Sequence, residues 1–393
     1  MNQMVGYLIR SNRIKKKMSQ EKLCKGICAI SYLSKIESGI AEPNEAIIEK
    51  LFNNLGITYI SDQELISEYK DLFNAYFDAY FHQEKSAEIE ERIYKNKEKI
   101  QASALAIEYQ LFCVYQAGDE KQVAAKLLKG MDGFKEYSTD ETSFLYYMAK
   151  GRLADSYDQR VRAYLRARQI KDSSLCYEAL MYEAYNRGEY LEALRYCTAG
   201  YARAMEEGFL LVARQLSFLQ GMCYGKLGDL EAMLIAYNRT RELFRGDDKI
   251  AANIDYNIAM AYMSKAHYDD AIPYLLSALK KEQEDLVLFF INHRLAMAYK
   301  AMDETKIGEV YLSMAETYSK KLGGVYMEMV KLARLYYMNN GEDSDEYGTI
   351  LMRLFDMEDE MGQDFVAFYR PYVIDYLKGK RKYKEAMRLM EEM

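Results

Sequence analysis

"MSQEKLCKGICAISYLSKIESG", residues 18–39, is the stretch on which the reading of this chain turns. Ser19 stands where a helix N-cap accepts from a backbone N–H, and Lys22 occupies the place where a reciprocal capping box would carry Glu. Leu23 points back to a core. Lys25 and Gly26 then mark a turn, and a second helix is predicted to start near Ala29, with Ile30, Leu33 and Ile36 or Glu37 along its inner edge. Gly39 suits a left-handed cap at its end. Two short helices around a tight turn are expected, with hydroxyl, tyrosine and lysine side chains left outside.

The flanks extend the pattern. Upstream, Val5, Leu8, Ile9 and Ile14 give an amphipathic helix over 4–17 whose last turns carry Arg10, Arg13 and Lys15 to Lys17, which complements its dipole. Downstream, Pro43 opens "PNEAIIEKLFNNLG", where Ile47, Ile48, Leu51, Phe52 and Leu55 line one face and Gly56 closes the helix. Residues 1–60 thus read as a bundle of four or five short helices. They hold nine Lys/Arg against five Glu, a local balance of +4 in a chain of net −7. A polyanion is attracted to this segment and repelled by the rest.

The chain has 393 residues, 37 Tyr, 23 Met, no Trp and only three Pro. So few prolines over such a length predict an all-α protein of more than one domain or of repeats. No apolar run is long enough to span a bilayer and the first residues do not form a signal peptide, so a cytoplasmic protein without a membrane partner is expected. The six cysteines lack paired spacing and are read as reduced core thiols. His82, His267 and His293 have no metal or nucleophile partners in view, and no phosphate-binding glycine motif or serine elbow occurs. A non-enzyme with no metal and no cofactor is expected.

Beyond a tyrosine-rich stretch, 61–100, read as linking helices, a repeat emerges. "ALMYEAYNRGEYLEALRYCTAG", "LQGMCYGKLGDLEAMLIAYNRT", "NIAMAYMSKAHYDDAIPYLLSA" and "HRLAMAYKAMDETKIGEVYLSMA" align on Met181, Gly221, Ala259 and Ala296, with separations of 40, 38 and 37 residues. A two-helix unit at that period is the mark of an α-solenoid, here resembling tetratricopeptide repeats, with eight or nine copies over 101–393.

The front segment resembles the helix-turn-helix of Xre/Cro-type repressors over roughly 4–58, through its Ser-Gln helix start, "YLSKIESG" and the Pro-to-Leu-Gly-Ile tail. Joined to tetratricopeptide-like repeats, it resembles the peptide-responsive Rap, Rgg, NprR, PlcR and PrgX type of regulators over essentially the whole chain. That resemblance implies a DNA-binding, quorum-sensing transcriptional regulator whose repeats bind a short signalling peptide. A major-groove helix would offer Ile30, Ser31, Ser34 and Lys35 to base edges, although Ile30 also fits the core by spacing. Tyr32 is assigned to phosphate or sugar, Gln20 to a phosphate, and Arg13, Lys15, Lys22 and Lys25 to salt-sensitive affinity. The basic residues also suit an ordinary solvated face.

In tetratricopeptide arrays the first helix of each pair lines the concave face. The expected peptide contacts are Gln215, Phe218 and Met222, then Asn253, Tyr256, Asn257 and Met260, then Phe290, Asn292, His293 and Met297. Amide side chains can clamp a peptide bond, while Tyr, Phe and Met form adaptable apolar walls. Packing of helix on helix is the competing reading for most of the aromatics. A DNA operator read by a homodimer is expected. A protein partner such as a sequestered response regulator is the alternative. Arg160, Arg162, Arg166 and Arg168 form a second basic group, expected to pair with neighbouring acids.

Overall fold

The structure, a computed structural model, describes residues 2–118, 120–131, 138–338 and 341–391. Among these residues it is helical, and the only β feature is an isolated bridge between Ile60 and Ser103. Two compact units are present, Met1–Leu216 and Ser217–Met393.

The first unit begins with the bundle α1 (Asn2–Lys15), α2 (Gln20–Cys24), α3 (Ile30–Glu37) and α4 (Glu45–Asn54). Ser19 caps α2 by accepting from the Lys22 backbone N–H at 3.1 Å, and Asn44 caps α4 through the Ile47 N–H at 3.0 Å. Val5, Leu8, Ile9, Leu23, Leu33, Ile36, Leu51 and Phe52 form the core. Ile14, grouped with that face by spacing, lies in the last turn of α1 and is 57% exposed instead.

Residues 61–100 form helices Gln63–Phe81, Ala87–Lys95 and Lys97–Gln101. The first of these packs directly on helix Ala106–Gln116: Tyr76 meets Phe112 edge-on at 4.7 Å and Phe77 meets Tyr115 at 5.3 Å. Such edge-to-face pairs add directional preference to burial. Arg152 closes the cluster, lying 5.2 Å above the Tyr115 ring and hydrogen-bonded to the Tyr80 hydroxyl.

Helix pairs follow to the end of the chain. Met181, Gly221, Ala259 and Ala296, the positions that set the period, are all buried. Gly221 shows why small residues are needed: a Cβ there would lie 2.5 Å from the Tyr237 ring on the partner helix. The turn inside each of the four pairs aligned on these positions holds one residue at positive φ, at Gly188 (+76°), Gly228 (+72°), Ala266 (+57°) and Asp303 (+63°). Glycine adopts that region freely and the other two do so at a cost. The second unit is filled by clusters around Met233, Tyr237 and Ile258, around Ala271, Leu275 and Leu295, and around Leu312, Leu351 and Tyr369.

Candidate nucleic-acid interface and repeat faces

The candidate recognition surface is built by α2 and α3. Gly26, at φ +75°, turns the chain between them, and Leu33, Ile36 and Glu37 fix the inner side of α3. The remaining positions face out: Ile30 is 48% exposed, and Ser31, Ser34 and Lys35 are exposed beside it. The burial leaves Ile30 outside the core, so its spacing to Leu33 does not reflect an inward role. Lys22 and Lys25 are exposed on the α2 side. Tyr32 is half-buried, with its hydroxyl donating to the Glu42 carbonyl at 3.3 Å.

Glu37, 3% exposed, is the keystone under this surface. Arg13 donates to both carboxylate oxygens, Nε to Oε1 at 2.6 Å and Nη2 to Oε2 at 2.8 Å, while its Nη1 donates to the Met18 carbonyl at 2.9 Å. Gln20 Nε2 donates to Glu37 Oε2 at 2.8 Å. The Glu37 hydrogen bonds push the Arg13 pKa above its usual value. Arg13 is expected from the sequence to meet a phosphate; its fork is occupied by Glu37, so it ties α1 to α3 rather than facing a duplex. Gln20 gives one amide N–H to the same carboxylate and keeps its other groups. Nothing local in the sequence distinguishes the buried Glu37 carboxylate from an exposed one, although a Glu at an inner-edge position is the available signal.

On the repeats, Asn253, Tyr256, Asn257 and Met260 are all half-buried along one face of helix Asp248–Met263. Gln215, at the end of the first unit, is half-buried, as are Phe218 and Met222 in the second, where both pack against the cluster of Tyr237 and Ile258. Phe290 is half-buried against Tyr326 at 6.0 Å.

Asn292, His293 and Met297 are different. The repeat pattern predicts open contact positions, and the structure buries all three to 2% or less. Phe368 of helix Gln363–Gly379 approaches the His293 ring at 6.0 Å, and Met297 belongs to the core cluster of Leu312 and Tyr369. Burial and the neighbouring Arg294 charge hold His293 well below its usual pKa, so it is neutral. Asn292 turns its amide N–H onto the Leu288 carbonyl at 2.7 Å. In the second basic group, Arg160 pairs with Glu183 at 2.7 Å, Arg162 with the Asp158 carbonyl, and Arg166 with Gln169. Among the described residues no group of His, Cys, Asp and Glu could hold a metal ion, and no helix is long and apolar enough to cross a membrane.

Comparison with known proteins agrees with this geometry. A family model described as Helix-turn-helix matches residues 9–60. The transcriptional activator NprA of Geobacillus stearothermophilus is 23% identical over 397 residues, covering 93% of this chain and 91% of the relative. The peptide-free quorum sensor NprR from B. thuringiensis shares the fold with a TM-score of 0.66 at 13% identity, over 83% of this chain and 98% of that one. NprR in complex with its cognate peptide NprX gives 0.55 at 14% identity, over 83% and 99%. The apo form of RapI gives 0.67 at 14% identity, over 82% and 96%.

Proposed function

We propose that this chain, similar to NprA over most of its length and to NprR in fold, is a DNA-binding transcriptional regulator controlled by a short signalling peptide held by its repeats. The observation that carries the DNA half is the outward face of α3. Ile30, Ser31, Ser34 and Lys35 are presented together on a helix whose inner side is pinned by the Arg13–Glu37–Gln20 network. An isoleucine suits a thymine methyl, serine pairs with several bases and lysine favours guanine. Lys22, Lys25, Tyr32 and the remaining groups of Gln20 supply backbone contacts whose strength falls with salt.

The peptide half rests on the amide and aromatic side chains of helix Asp248–Met263. Asn253 and Asn257, one turn apart on one face, can each clamp a peptide bond, with Tyr256 and Met260 beside them. Gln215, Phe218, Met222 and Phe290 are further contacts, each on its own unit's surface. A two-fold operator needs two recognition helices, so the active form is a homodimer. NprR, which shares the fold, forms a complex with its cognate peptide NprX, and that supports a peptide as the ligand of these repeats.

The test is selection of duplexes from a randomised pool by the full chain, beside a Ser31→Ala, Lys35→Ala double variant. A recovered motif that the double variant binds at least about tenfold more weakly supports the reading, since each good base contact is worth about 1–3 kcal/mol. Recovery of no motif, or equal binding by the double variant, counts against it.

A further inference from the structure

Arg294 is 2% exposed and stands in helix Asp285–Ala301 between two aromatic rings. Its guanidinium carbon lies 3.3 Å from the Phe368 ring centre and 5.8 Å from that of Phe290. Its Nη1 donates to His293 Nδ1 at 3.2 Å, and the Tyr369 hydroxyl is close by. Among the described residues it forms no ion pair with a carboxylate, and its Nε is buried without a hydrogen-bond partner. The Asn292 Oδ1 is likewise buried and unpartnered. The neutral His293 brings no counter-charge.

A buried guanidinium is stable when a carboxylate shares its burial. Two buried carboxylates hold cations in this way: Glu37 holds Arg13, and Asp255 holds both Arg241 and Lys281. Arg294 is balanced instead by ring faces, as the less buried Arg152 is over Tyr80 and Tyr115, and these offset part of the desolvation. Its cover is also the most displaceable kind. Phe368 is half-buried and packs against the same cluster as Tyr256 and Met260, so one side of the ring covering the planar fork meets solvent. The fork matches a carboxylate with two parallel N–H···O bonds.

We propose that Arg294 is the seat of a carboxylate carried by the bound peptide, either its C-terminal group or an Asp or Glu side chain, with Phe368 as the rotating cover. This rests on the peptide reading above. Tyr256 and Met260 then hold the neighbouring residue of the peptide, and Asn253 and Asn257 the backbone that leads away from it. The buried charge is the cost the empty protein carries for selecting an acid group.

Three synthetic pools of random heptapeptides test this on the full chain: one without Asp and Glu and with a free carboxyl terminus, the same pool amidated, and an amidated pool containing Asp and Glu. Retained peptides are read by mass spectrometry for wild type and Arg294→Met. Wild type is expected to retain the first or the third pool at least about tenfold over the second, and the pool retained tells the two sources of carboxylate apart. Arg294→Met loses that preference, while its unfolding midpoint stays within about 2 °C of wild type or rises, because no paired charge is removed.

Since the chain has no Trp, Phe368→Trp provides a single fluorophore, and its acrylamide quenching should rise when a peptide from the retained pool binds. Equal retention of all three pools by both proteins overturns the carboxylate seat and leaves the peptide reading standing. No retention from any pool overturns both. A midpoint lowered by well over 5 °C in Arg294→Met, or quenching unchanged by peptide, also overturns the proposal, because Arg294 and Phe368 would then be fixed parts of the core.

Discussion

Replacing Glu37 by methionine keeps an unbranched side chain of similar length and removes both oxygens that hold α1 to α3. Glu37 is 4% exposed along its side chain and Arg13 15%, so the variant leaves a mostly buried guanidinium with only the Met18 carbonyl at 2.9 Å. Breaking a buried pair costs about 3–5 kcal/mol. Water reaches the edge of Arg13, which lowers this case to about 2–3 kcal/mol, or roughly a 30-fold to 150-fold shift in a local opening equilibrium.

Amide hydrogen exchange on the full chain reads it directly. Protection should fall by that factor in α2 and α3 and stay unchanged in helices after 140. Specific binding to a selected duplex should weaken in parallel, while salt-dependent binding to random duplex persists through Lys22 and Lys25. The double variant Arg13→Met, Glu37→Met has no stranded charge and should recover most of the protection. If Glu37→Met alone leaves exchange unchanged, or the double variant is as damaged as the single one, the keystone reasoning is wrong.

Three other outcomes follow from single positions. A Cβ on Gly6 would lie 2.0 Å from the Ile36 carbonyl oxygen, so Gly6→Ala must shift α3 by about 1 Å; a stability loss of about 1–3 kcal/mol and weaker specific DNA binding are expected, and unchanged binding would refute the contact. Ala266 sits exposed at φ +57°, where glycine is unstrained, so Ala266→Gly should raise the unfolding midpoint by about 1–3 °C despite the entropy glycine adds to the unfolded chain; a lower midpoint would contradict the turn assignment. Burial pushes the Glu108 carboxyl from its usual value near 4.5 up to about 7, so the folded state holds a proton that the unfolded state releases. Stability therefore falls as pH rises through the window from about 4.5 to 7, and Glu108→Gln should gain on wild type across it by on the order of 2 kcal/mol; parallel pH profiles would refute the burial.

What the sequence carries legibly is local. Ser19, Gly26 and Gly39 act through neighbours within a few residues, so caps and turns can be read along with the inward Leu23, Leu33 and Ile36. The period of the repeats is equally legible, because the aligned positions are buried against the neighbouring helix, as Gly221 is against Tyr237. Less is visible where glycine is missing: Ala266 and Asp303 occupy the same turn position as Gly188 and Gly228, and only the backbone reveals it.

The candidate contacts on the repeats fail to transfer for a different reason. Helices Asp248–Met263 and Asp285–Ala301 stand at equivalent places in successive repeats, and sequence alone gives their inward faces the same role. In the structure one face stays half-open at Asn253, Tyr256 and Asn257, and the other is buried at Asn292, His293 and Met297, where Phe368 and the cluster of Tyr369 arrive from far along the chain at His293 and Met297. Periodicity specifies which side of a helix is apolar or amide-rich, but exposure depends on what later packs there. Arg294 shows the consequence most sharply: the helical pattern marks it as an ordinary charged position, and only the absence of a carboxylate around a buried guanidinium, among the described residues, turns it into a candidate for recognition.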